Sequence, residues 1–288
     1  MSDAKQPGRQ VDQSAANEDS DLAFDLDRQA RQKSGPLSGK MALVTGSTRG
    51  LGRTIAETLA WEGVSIVVSG RDEGAVQDTV DVVRQFGVQS FGIPADLSNP
   101  GEAHRLAEEA LARVQQLDIL INNAGMSIRG HFWEVSDADW DYQVNVNYRS
   151  SFILAQHAAR HMIARGIRGR IINTGTIGAR AAHKDAAVYD SAKGAVEVMT
   201  RNMACELGPF GITVNCVIPG NIAERPGVLT NAEQRARRKQ EGDKIPVGRV
   251  GRGEDIAAGV RFFCLPDSEF TTGQALLIDG GDLSQRNR

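Results

Sequence analysis

The chain has 288 residues, 41% of them hydrophobic and 24% charged, with a formal net charge of −3. That length accommodates one or two domains with a sizeable core, and the slightly acidic balance gives no reason to expect a nucleic-acid or anionic-membrane partner. No apolar run nears the ~20 residues that cross a bilayer, the polar N-terminus lacks the apolar centre of a secretion signal, and Cys205, Cys216 and Cys264 are spaced for neither a disulfide framework nor a metal. The expectation is a cytoplasmic protein with reduced, mostly buried thiols.

Residues 1–36 are rich in Asp, Gln, Ser and Arg. They read as a disordered extension, or as an arm that docks Leu22, Phe24 and Leu26 on its own domain or on a neighbouring subunit. A single domain is expected over residues 37–281, followed by a tail at 282–288. Met41–Thr45 is a short apolar strand that runs into Gly46-Ser47-Thr48-Arg49-Gly50-Leu51-Gly52, and a helix with Ile55, Leu59 and Ala60 on one face follows. Strand, glycine turn and helix together suit a pyrophosphate. Backbone amides and the helix dipole meet the negative charge, and glycines let the backbone approach closely. The spacing here is G-x-x-x-G-x-G.

The next strand, 64–69, ends at Gly70-Arg71, where the ribose of a dinucleotide is read. An acid there would bond the free 2′-hydroxyl of NAD, whereas Arg71, with Arg49 in the glycine turn, suits the 2′-phosphate of NADP. Asp72 follows and points the other way. NADP(H) is the expected preference, with NAD(H) as the alternative.

The alternation continues with a helix at 74–86 and a strand at 89–94 that leads into Asp96 and Leu97. A helix at 101–115 and a strand at 117–121 follow, the strand ending in Asn122-Asn123-Ala124-Gly125. One long helical stretch spans 136–165 and contains Asn147. Beyond it come a strand at 170–174, a helix at 188–207, a strand at 212–218, a helix at 254–265 and a strand at 275–278. Alternating strands and helices predict an α/β fold with a doubly wound parallel sheet covered on both faces. In the helix at 188–207, Tyr189 and Lys193 are four apart and share one face. An ammonium beside a phenol is expected to lower the phenol's pKa and fit it for general acid–base work.

These motifs, in this order, resemble the short-chain dehydrogenase/reductase family over residues 37–281. They are the glycine turn Thr45–Gly52, Asp96, Asn122–Gly125, Asn147, Tyr189-x-x-x-Lys193, Pro219-Gly220 and Asp279-Gly280-Gly281. The resemblance implies a Rossmann-like fold and hydride transfer at a nicotinamide, interconverting a carbonyl and a secondary alcohol. It implies a catalytic set of Asn147, Thr176, Tyr189 and Lys193. Thr176 stands where the family usually has serine; it keeps the hydroxyl but adds a methyl group that narrows the pocket. Lys193 would lower the Tyr189 pKa and bond the nicotinamide ribose, and Asn147 would hold a proton-relay water. Asp96 would touch the adenine, and Asn123 with its neighbours the adenosine ribose. Ile222 would contact the nicotinamide carboxamide through its backbone, while Glu224 replaces a threonine common in relatives. The resemblance also implies a substrate lid over 221–248 and a homotetramer with the helices at 136–165 and 188–207 as interfaces.

Ser127, Ile128, Arg129, His131, Trp133, His183 and Lys184 are further candidates for the pocket. The basic run Arg235-Ala236-Arg237-Arg238-Lys239 reads as a solvated helix face, or as a recruiter of an anionic substrate or acidic carrier. The five histidines show no ligand spacing, so no catalytic metal is expected. Two other function classes stay open: an NADP(H)-binding sensor without turnover, and an isomerase or dehydratase built on the same Tyr–Lys pair.

Overall fold

The computed structural model describes residues 35–223 and 232–286. Seven strands form one parallel sheet: β1 (Met41–Thr45), β2 (Ser65–Gly70), β3 (Ser90–Pro94), β4 (Ile119–Asn122), β5 (Arg170–Thr174), β6 (Thr213–Pro219) and β7 (Ala275–Ile278), in the order β3-β2-β1-β4-β5-β6-β7. The order turns back between β1 and β4, where Val44 pairs with Val68 on one side and Ile121 on the other. A crevice opens beyond the carboxyl ends of strands at such a reversal.

Strands buried on both faces read as unbroken apolar runs, as in Ala42–Val44 of β1 and Ile119–Ile121 of β4. Alternate side chains of β1 feed two cores. Leu43 joins the layer beneath α3 (Pro100–Arg113) and α5 (Ser150–Arg165). Ala42 and Val44 join the layer beneath α1 (Gly50–Trp61), α2 (Glu73–Arg84) and α8 (Gly253–Cys264). Local signals set the helix starts. Asp72 accepts from the Ala75 amide (2.7 Å) to cap α2, and Asn99 caps α3 with Pro100 in its first turn. Helix α6 (Ala187–Leu207) buries Val188, Ala192, Val196, Met199 and Leu207, as its periodicity requires.

Two segments differ from the sequence reading. The stretch at 136–165 is not one α-helix: α4 (Asp137–Val144) passes through a π-helical turn at Asn145–Arg149 before α5. The supposed tail continues the domain, because Asp279 accepts from the Gly281 (2.9 Å) and Leu283 (2.8 Å) amides and starts a short helix, α9 (Asp282–Arg286). The basic run lies in α7 (Ala232–Gly242), with Lys239 exposed. The N-terminal extension through Ser34 and residue Glu224 lie outside the described residues.

Candidate active site

A cavity of about 660 Å³ opens at the carboxyl end of the sheet. Every residue expected at the cofactor or at the chemistry borders it, except Ser47, Asn147 and the undescribed Glu224.

One end is built on the glycine turn. Gly46 has φ +62°, and a Cβ at Gly52 would run into the Gly46 carbonyl oxygen and the Asn123 side-chain amide. The amide of Asn123 donates to the carbonyls of Thr45 (3.0 Å) and Gly46 (3.3 Å), so this side chain braces the turn. Ser47 lies behind the turn. Its hydroxyl accepts from the Ser69 amide (3.0 Å) and ties β1 to β2. The first turn of α1 carries no acidic residue, which leaves its positive dipole end free to meet an anion. This close-packed, acid-free turn fits a dinucleotide pyrophosphate.

Farther along the same wall, Arg49 and Arg71 stand beside Gly70 and Asp72. Arg71 donates to the Tyr142 hydroxyl (2.9 Å). Tyr142 was not marked in the sequence, because nothing there links a helix residue to a loop 71 positions away. The Asp72 carboxylate is engaged in capping α2, and one oxygen of Asp96 accepts from the Ser98 amide (3.0 Å).

The other end holds Thr176, Tyr189 and Lys193. Thr176 and Tyr189 border the cavity together, and the Thr176 hydroxyl accepts from the Gly178 amide (3.2 Å). A Cβ at Gly125 would lie 3.1 Å from Asn147 Oδ1 and 3.5 Å from Lys193 Nζ, so the lysine and asparagine meet behind this glycine. Asn147 is fully buried in the π-helical turn. Its amide donates to the carbonyls of Met126 (2.7 Å) and Gln143 (2.8 Å), and its oxygen accepts from the Met126 amide (3.0 Å). That side chain therefore fixes the loop after β4 against α4, and π-helical turns of this kind recur at functional sites.

The electrostatics reverse one expectation. Burial raises the Tyr189 phenol above its ordinary value; the Thr176 hydrogen bond lowers it, Asp190 raises it and Arg129 lowers it. Lys193 is not among these groups. Burial pulls its own ammonium down to about 8, partly offset by Cys216, so its charge is itself disfavoured.

Of the further pocket candidates, only Ser127 borders the cavity. Arg129 donates to the Lys184 carbonyl (2.8 Å), and His131 pairs with Asp185 (3.0 Å). These contacts join two loops outside the cavity wall. His131 and Trp133 stack on each other with Trp133 exposed, and His183 turns to Asp190. Cys216 and Cys264 are buried and Cys205 is exposed; burial pushes the two buried thiols up to about 12. No helix among the described residues is long and apolar enough to cross a membrane.

A family model described as enoyl-(acyl carrier protein) reductase matches residues 46–282. Glucose 1-dehydrogenase 2 of Bacillus subtilis is 32% identical over 247 residues, covering 85% of this chain and 95% of that one. The crystal structure of acetoin dehydrogenase YohF from Salmonella typhimurium superposes with a TM-score of 0.78 at 35% identity, over 85% of this chain and 97% of that one. A structure described as an NAD(P)-dependent gluconate 5-dehydrogenase from Beutenbergia cavernae, with NADP bound at low occupancy, gives 0.78 at 31% identity, over 87% and 100%. With the doubly wound sheet, the glycine turn and the Tyr–Lys pair in one cavity, these matches establish that the chain belongs to the short-chain dehydrogenase/reductase family and is an oxidoreductase of that class.

Proposed function

We propose that this enzyme interconverts a carbonyl and a secondary alcohol, prefers NADP(H), and uses Tyr189 as general acid and base. The observation that carries this reading is that Thr176, Tyr189 and Lys193 line one wall of the same cavity. When bound, a nicotinamide cofactor supplies the hydride transfer. The turn Gly46–Gly52 would hold its pyrophosphate, with Arg49 and Arg71 at the ribose end and Lys193, Pro219, Gly220 and Ile222 at the nicotinamide end. Thr176 donates to the substrate oxygen, and Tyr189 gives that oxygen a proton as negative charge develops on it. In the oxidative direction Tyr189 takes the same proton back. Asn147, held in its π-helical turn, keeps the Gly125 backbone in place beside Lys193.

The preference for NADP(H) rests on Arg49 and Arg71, two cationic groups on the cavity wall against the single carboxylate of Asp72, one oxygen of which is engaged in capping α2. Charge-assisted hydrogen bonds to a phosphate are worth ~1.5–3 kcal/mol, so Arg71→Ala is expected to weaken NADPH binding by roughly 10- to 100-fold. NADH binding should change little. Titration of both cofactors by fluorescence checks this, and equal losses for the two would refute the preference.

Thr176 supplies the hydroxyl where the family usually carries serine. Removing one donor to a developing oxyanion costs ~100- to 1,000-fold in kcat. Thr176→Ala is expected to lose that much, and Thr176→Ser to stay within a few-fold of wild type. An alanine variant as active as wild type would take Thr176 out of the mechanism.

The substrate is read as a small carbonyl compound. Reduced thiols support a cytoplasmic location, and the exposed Phe152 on α5 and Val198 on α6 support a homotetramer built on those helices.

A further inference from the structure

Asp190, Lys193 and Glu197 follow one another at spacings of three and four along α6 and therefore share a face. All three are at least nine-tenths buried. Lys193 borders the cavity, whereas the acids on either side of it do not. They face the segment that leads from Thr176 to the start of α6. The His183 backbone amide donates to Asp190 Oδ2 (2.9 Å), and its ring Nδ1 pairs with Asp190 Oδ1 (3.0 Å). Two turns farther along, Glu197 receives Arg180 (3.1 Å). Gly178 is wedged beneath the first pair: a Cβ there would run into Asp190 Oδ1 and His183 Nδ1. The Gly178 amide in turn donates to the Thr176 hydroxyl (3.2 Å).

Thr176 and Tyr189 sit on different elements, joined by a loop with only a short 3-10 turn at Ile177–Ala179. A loop of that length leaves its ends free to move relative to each other unless side chains tie it down. The two acid pairs are such ties: Asp190 of the first adjoins Tyr189, and Gly178, packed against that pair, donates to Thr176.

We propose that Asp190 and Glu197 are positioning residues: through His183 and Arg180 they clasp the 176–186 loop against α6, so that the Thr176 and Tyr189 hydroxyls address one substrate oxygen. This rests on the carbonyl–alcohol reading for its catalytic consequence, but the clasp itself can be measured without turnover. His183→Ala removes the ring and keeps the backbone amide. Amide hydrogen exchange in peptides covering 177–187 is expected to accelerate by about tenfold or more, with the glycine-turn peptides unchanged. Misplacing reacting groups by about 1 Å costs up to ~100-fold, so kcat is expected to fall 10- to 100-fold while the NADPH dissociation constant stays within about twofold. Should His183→Ala fail to fold because Asp190 is left without its partner, the paired Arg180→Met/Glu197→Gln variant removes both charges of the second tie and is read the same way. Unchanged exchange in a folded variant overturns the clasp. Faster exchange with unchanged kcat overturns its catalytic role. If wild type turns over no carbonyl, the reaction reading fails, and the exchange comparison still decides the clasp.

Discussion

Lys193→Met is expected to abolish turnover and, at neutral pH, to make the protein more stable. The ammonium of Lys193 lies in a dry site that lowers its pKa from 10.5 to about 8. Between those two values the unfolded chain holds a proton that the folded protein has released, so wild-type stability rises with pH across that window. Below it, the full penalty of the buried charge is present, on the order of 3 kcal/mol. Methionine fills similar volume without a charge and removes the penalty. Denaturant unfolding across this pH range should show the variant ahead of wild type at neutral pH and the gap closing as pH approaches 10.5. Loss of stability at neutral pH would show instead that the ammonium is well compensated in its site. Retaining a lysine at such a cost makes sense for a group held for function.

Tyr189→Phe keeps the ring in its packing and deletes only the hydroxyl. General acid–base groups contribute ~100- to 10,000-fold, and a loss of that size in kcat is expected in both directions of the reaction. Cofactor affinity should remain within a few-fold, because the glycine turn and both arginines are untouched. The same variant isolates the phenol's titration. Without added cofactor, the ultraviolet difference between wild type and Tyr189→Phe should place the Tyr189 phenol above its ordinary value of 10.0, since burial and Asp190 raise it by more than Thr176 and Arg129 lower it. A phenol titrating near neutrality in that experiment would return Lys193 to the role first expected of it.

The outline of the fold was legible because the sheet is buried on both faces. The strands at Met41–Thr45 and Ala275–Ile278 end within one residue of their apolar runs, while Arg170–Thr174 is centred on Ile171 and Ile172. The glycine turn was legible because its spacing is local. What escaped the sequence depends on contacts between distant segments. The Arg71–Tyr142 and His183–Asp190 bonds join residues brought together only by the fold. The π-helical turn around Asn147 is marked by no residue type of its own, and five residues are too few for a change of period to show. The side chains of Asn123 and Ser47, expected at the cofactor, bond instead to the backbone at and beside the glycine turn. The sequence expectation of a lowered Tyr189 pKa rested on Lys193, four residues away, whereas burial is the larger effect and raises it.

The most direct test of the central claim is cofactor absorbance over a panel of ketones, 3-oxoacyl and 2-enoyl thioesters, sugar acids and polyols, each run with NADPH/NADP and NADH/NAD for wild type and Tyr189→Phe. The account predicts stoichiometric cofactor conversion with a carbonyl–alcohol pair, faster with the phosphorylated cofactor and lost in the variant. Cofactor binding without turnover of any carbonyl or alcohol, or turnover that survives Tyr189→Phe, would contradict it.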